Sequence, residues 1–98
     1  MKFMINWQFH PGKLHEGLSH FSQMTSKDDA ADLGKDIKLI GRWHDLVRGR
    51  GVAILESNSG ETVSNWALNW NSILDAEVSV VLDDAEVRAL GKKRAKKS

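Results

Sequence analysis

Arg42 and His44 stand two residues apart in a segment that alternates polar and apolar side chains, and Asn6 and Gln8 stand two apart in another. In an extended chain, residues at i and i+2 point to the same side. If the two segments lie close in one sheet, the four side chains converge. Such a set suits an anionic or carbonyl-bearing small molecule. Arg42 would be the charged anchor, His44 a hydrogen-bond partner or general base, and the two amides the orienting groups. The same groups equally form a satisfied polar network at the centre of a dimer, specifying orientation and binding nothing. The residues alone leave both readings open.

Other chemically suggestive spacings read as structural. His10, His15 and His20 recur every five residues. That step rotates a helix by about 140°, whereas ligands sharing a helical face need i,i+3 or i,i+4. They are read as solvated or loop histidines, and no metal site or cofactor is expected. Asp28, Asp29, Asp32 and Asp36 lack the spacing of a calcium loop and read as a solvated acidic segment. Arg48-Gly49-Arg50-Gly51 has no strand-to-helix context and no following Lys-Ser/Thr, which makes it a hairpin turn and not a phosphate loop. Ser19, Ser22, Ser64 and Ser72 have no nucleophile elbow around them. The absence of cysteine excludes thiolate nucleophiles, disulfides and Cys-ligated metals.

The elements that would position Asn6, Gln8, Arg42 and His44 follow from periodicity. Phe3, Ile5, Trp7 and Phe9 alternate with Lys2, Met4, Asn6, Gln8 and His10, which predicts a strand with one buried face. Pro11-Gly12 ends it, with Pro11 in the first turn of the next helix. Leu14, Leu18, Phe21 and Met24 give that helix its apolar stripe. Ser26 with Asp29 predicts a capping box for a short turn that stops at Gly34. A second strand is expected over 37–45, with Ile37, Leu39, Gly41 and Trp43 on one parity and Lys38, Ile40, Arg42 and His44 on the other. A third follows over 52–56, completing a hairpin. Val63, Trp66, Ala67, Trp70, Ile73 and Leu74 share about a third of a helical wheel over 61–74, so Trp66 and Trp70 read as core. Val78 to Leu82 form the last strand, and Asp83 with Glu86 cap a short helix before Gly91.

The expected fold is therefore α+β, a ferredoxin-like βαββαβ sandwich with a four-stranded antiparallel sheet. Two helices cover one sheet face only. The other carries Met4, Asn6, Gln8, Ile40, Arg42 and His44, a half-apolar surface that a homodimer contact through the open sheet face would cover.

The 98 residues carry 14 Lys/Arg against 13 Asp/Glu, a formal net charge of +1. Five of those positive charges are Lys92, Lys93, Arg94, Lys96 and Lys97, so the remainder is mildly acidic. This predicts one domain over 1–91 and a solvated basic tail over 92–98. Nucleic-acid binding is not expected, because such domains spread Lys/Arg over a face. No apolar run reaches the roughly 18–20 residues of a membrane span, and the N-terminus lacks the apolar core of a signal peptide. A soluble, cytoplasmic protein is the expectation.

Gly41-Arg42-Trp43-His44-Asp45 and Trp66-Ala67-Leu68-Asn69-Trp70-Asn71 are similar to signature segments of an uncharacterised bacterial domain family within the dimeric α+β barrel superfamily. Met1-Lys2-Phe3-Met4, Trp7, His10-Pro11 and Val81-Leu82-Asp83-Asp84 fit it too. The resemblance covers nearly the whole chain and implies a ferredoxin-like protomer with sheet-to-sheet dimerisation. The superfamily includes antibiotic-biosynthesis-type and haem-degrading monooxygenases and stress-responsive barrel proteins. The haem-degrading enzymes use an Asn on the first strand, a Trp on the second helix and a His about ten residues after it. Asn6 and Trp66 match, but the tenth position after Trp66 is Ala76 and no His follows His44. The haem ligand is missing. The resulting expectation is a small dimeric barrel protein of unassigned function with a small-molecule cavity between its two sheets. The alternatives are a cofactor-independent, monooxygenase-like enzyme using His44, Arg42 and Asn6, or a purely structural dimerisation module.

Overall fold

The computed structural model describes residues 1–97 and has the order β1 (Lys2–Phe9), α1 (Leu14–Ser22), α2 (Ser26–Leu33), β2 (Ile37–Asp45), β3 (Arg50–Ser57), α3 (Gly60–Ala67), β4 (Leu74–Val81) and α4 (Asp84–Lys97). The strands form one antiparallel sheet in the order β2-β3-β1-β4. Two helical connections and one hairpin in that order are the split-βαβ arrangement of the ferredoxin-like α+β fold. Phe3 and Ile5 of β1, Ile37 of β2, Ala53 and Leu55 of β3 and Val63 of α3 make the buried core, all on the helix-covered side.

The expected alternation of β1 holds. That of β2 does not survive past Leu39. Leu39 pairs with Leu55 and Gly41 with Ile54, so Ile40 is left unpaired in a β-bulge. One extra residue moves every later side chain to the opposite face. Downstream of it Arg42 and His44 turn to the helix side, where Arg42 meets Asp29 and the exposed His44 meets the Phe21 ring, while Trp43 faces outward and is 60% exposed. The expectation that Arg42 lines the open sheet face is thereby corrected, while His44, its ring turned to the helix side, still borders the hollow on that face.

The helices also differ in detail. Pro11 and Gly12 form a separate turn, closed by the Lys13 amide on the His10 carbonyl, and α1 starts at Leu14. The buried position of α1 is Gly17, not Leu18, because the Phe9 ring occupies the space a Cβ would need. The capping box of α2 belongs to Thr25 and Asp28, one residue earlier than expected: each backbone N–H donates to the other's side-chain oxygen. Hydrogen bonds from the Thr25 backbone N–H and then its side chain hold the Asp28 carboxyl below the usual range. Gly34, at φ 79°, ends α2 as expected.

The helix expected over 61–74 stops at Ala67 and unwinds into turns, with Asn69 N–H on the Trp66 carbonyl and Trp70 N–H on that of Ala67. Asn69, Asn71 and Ser72 are weak helix formers that favour such turns. β4 then begins at Leu74, four residues before the expected strand.

The reciprocal Asp83–Glu86 cap is present, with the Glu86 N–H donating to Asp83 at 2.8 Å and the Asp83 N–H to Glu86 at 3.0 Å. Lys2 pairs with both carboxylates, at 3.2 and 3.4 Å, tying α4 to the start of the sheet. The helix does not stop at Gly91. It continues to Lys97, so the boundary drawn between 91 and 92 falls inside a helix; Ser98 lies outside the described residues. No residue of α4 is buried, and the molecule measures 53 × 28 × 19 Å.

Candidate functional site

The bulge divides the four candidate residues between two faces. Asn6 and Gln8 remain on the open face, opposite Val52 and Arg50 of β3. Gln8 is committed locally: its Nε2 donates to the carbonyls of Arg48 at 2.9 Å and Gly49 at 3.2 Å, clamping the β2–β3 turn against β1. Asn6 lines an open hollow of about 660 Å³ with Trp43, Val52, Asp75 and Glu77. Trp43 folds its ring over Gly41, where the missing side chain leaves room. Asp75 accepts a 3.0 Å contact from His10, a histidine that sequence spacing left in solvent. Across the hollow, Arg50 Nε donates to Asp45 at 2.9 Å, holding the Asp45 carboxyl below the usual range.

Arg42 belongs to a cleft on the other face, between the sheet and the helices, with about 80 Å³ of space, and His44 lines both this cleft and the open hollow. The Arg42 guanidinium donates twice to Asp29 of α2, Nη1 to Oδ1 and Nη2 to Oδ2 at 3.1 Å each, and lies 4.7 Å from the centre of the Phe21 ring. A bidentate pair on a half-buried arginine satisfies the charge within the protein. The anion sought for Arg42 is Asp29. The monooxygenase-like alternative required Asn6 in one cavity with Arg42 and His44; Asn6 and His44 both line the open hollow, and Arg42 lies outside it.

His44 sits between Trp7 and Phe21, with ring centroids 5.5 and 5.1 Å away. Gly51, its partner across the ladder, leaves room for the Trp7 ring over that strand. Burial first, and the neighbouring Arg42 charge second, hold the imidazole below the ordinary histidine pKa. His44 is thus predominantly neutral near pH 7, an acceptor as well as a donor. Because its folded pKa lies below its unfolded value of about 6.5, the unfolded chain takes up the proton first on acidification. The stability His44 supports is complete above that value and falls as the pH drops from it to the folded pKa. Urea titrations over this range are expected to show a steeper loss for the native chain than for His44→Gln, the difference isolating this residue.

The residue that sequence reasoning missed is Asp32. Its Oδ2 accepts the indole N–H of Trp66 at 2.8 Å and of Trp70 at 3.1 Å. Both tryptophans are half-buried and line the cleft with Trp7, Phe9 and Phe21. The signal was available: two indoles on one stripe each need an acceptor when buried, and an acidic segment was the nearest supply. Among the described residues no cluster of His, Asp and Glu could hold a metal ion, and no helix is long and apolar enough to cross a membrane.

Residues 1–95 match a family described as "Domain of unknown function (DUF3303)". No curated protein matches the sequence. Among solved structures, the chain is similar to an uncharacterized NIPSNAP domain protein from Burkholderia xenovorans. The two share 12% identity at a TM-score of 0.46, over 86% of this chain and 97% of that one.

Proposed function

We propose a function from the premise that the chain belongs to the DUF3303 family: the protein is a homodimer through its open sheet face, and the hollow on that face holds a small organic molecule between the two sheets. One observation carries the reading. All the buried core lies on the helix side, yet the opposite side carries Met4, Val52, Ile54 and Trp43, the last 60% exposed on a strand in the sheet. Large apolar groups grouped on a face with polar surroundings mark an interaction surface. A two-fold contact of that face with itself covers every exposed member at once.

The hollow gives such a dimer an interior. Asn6 supplies an amide, Trp43 and Val52 supply apolar wall, and Glu77 supplies an acceptor. Since Arg50 is engaged by Asp45, the hollow favours a neutral or hydrogen-bond-donating molecule over the anion expected from sequence.

Light scattering on a sizing column tests the dimer. The native chain is expected at twice its 11.0 kDa mass at micromolar concentration. Trp43→Glu, which changes an exposed side chain, is expected to weaken association about 30-fold, the effect of losing one central aromatic contact, with an unchanged far-UV spectrum. A native chain that runs as a monomer would sink the reading.

A further inference from the structure

The cleft on the helix side presents a charge problem of its own. Arg42 and Asp29 neutralise each other, His44 is held neutral, and Asp32 remains. Asp32 is half-buried beneath Trp66 and Trp70, and among the described residues no Lys, Arg or His forms an ion pair with it. Two indole donors stabilise a carboxylate without cancelling its charge. The cleft therefore carries one uncompensated negative charge among aromatic walls.

We propose that this cleft binds a small organic cation of the quaternary or alkylated ammonium class, with its charge against Asp32 and its methyl groups against Trp7, Trp66 and Trp70. A carboxylate among aromatic walls favours a cation that carries its charge beneath an apolar surface, because the carboxylate attracts the charge, the walls take up the methyl groups, and there is no strong hydration shell to lose. A primary ammonium is more tightly hydrated and gains less. About 80 Å³ is small beside the several hundred Å³ of pockets for drug-sized ligands. A trimethylammonium head enters while the polar remainder of the molecule stays in water. The shared acceptor matters to this geometry. Both indole N–H groups are fixed on Oδ2, which leaves Oδ1 of Asp32 as the oxygen a cation would face. The site opens on the helix side of the sheet and shares only Trp7 and His44 with the hollow of the opposite face.

Choline and its uncharged isostere 3,3-dimethylbutan-1-ol are the probes, added to the full chain while the four indole N–H resonances are followed by NMR. Choline is expected to shift Trp66 and Trp70 saturably and to leave Trp43, on the other face, in place. The isostere is expected to bind about tenfold more weakly, since the difference between them is the charge. Asp32→Asn keeps an oxygen acceptor for the indoles and removes the charge. It is expected to weaken choline about tenfold and to leave the isostere unchanged. Equal affinities for the two probes on the native chain, or no saturable shift with choline, would overturn the proposal without any variant having to fold. A perturbation of Trp43 alone would overturn it too, since it would place the ligand in the sheet-face hollow. Repeating the titration on the Trp43→Glu monomer separates this site from the dimer: retained choline binding supports the cleft even if the sheet-face reading fails.

Discussion

Gly51→Ala is expected to lower the stability of the fold by about 1–3 kcal/mol, the range for forcing extra volume into a packed site. A Cβ at this position would meet the Trp7 indole and come within 2.7 Å of the Trp43 backbone carbonyl. The ring can turn, but the carbonyl belongs to the neighbouring strand of the same ladder and cannot yield without disturbing it. Thermal unfolding should fall by about 4–8 °C for each kcal/mol lost in a domain of this size. Gly91→Ala supplies the contrast. Gly91 has open space around it inside an exposed helix, so alanine there is expected to stabilise α4 by up to about 1 kcal/mol. Opposite signs for the same chemical change, read by urea unfolding, would show that space, not glycine as such, decides the outcome. Equal effects would contradict the Trp7–Gly51 packing.

Asp32→Ala is expected to cost about 2–3 kcal/mol. It removes the acceptor of two indole N–H groups at once, each a hydrogen bond to a charged group worth about 1.5–3 kcal/mol. Partial exposure and shared geometry keep the sum below twice that value. The loss is structural as well as energetic, since Asp32 joins α2 to the unwound end of α3 and so holds one wall of the cleft. Near-UV circular dichroism should report loosened tryptophans, and Asp32→Asn should keep most of the native signal. If alanine and asparagine behave alike, the acceptor role assigned to Asp32 is wrong.

The contrast between the Gly51 and Asp32 sites shows what a single sequence discloses. Strand β1 was legible because its alternation is local and uninterrupted, and β2 was legible in extent, from Ile37 to Asp45. The direction of its second half was not. A bulge adds one residue to a ladder and leaves the pattern of residue types along the chain unaltered, so Arg42 and His44 kept their apparent parity while changing sides. Gly41 was the available hint, because a glycine inside a strand often marks such an irregularity. The end of α3 was hidden for a related reason. Trp70, Ile73 and Leu74 satisfy a helical wheel, yet the chain must turn there to enter β4, and tertiary hydrogen bonds to Asp32 hold the turn. Gly17 was passed over because its importance is the Phe9 ring lying on it, a contact between two elements that leaves no mark on the helix's own periodicity. The candidate site was therefore half visible: its chemical groups could be named, but not which of them meet.

The unbroken run of α4 through Gly91 gives the molecule a direction as well as a length. Its 14 residues extend about 21 Å at 1.5 Å per residue, and five cations occupy the last two turns. The rest of the chain is net negative, so a protein of formal charge +1 has a large electric dipole moment. Near a polyanion the arm turns inward, and near a polycation the body does. Orientation at a charged surface is thereby set by a single helix that contributes almost nothing to the core.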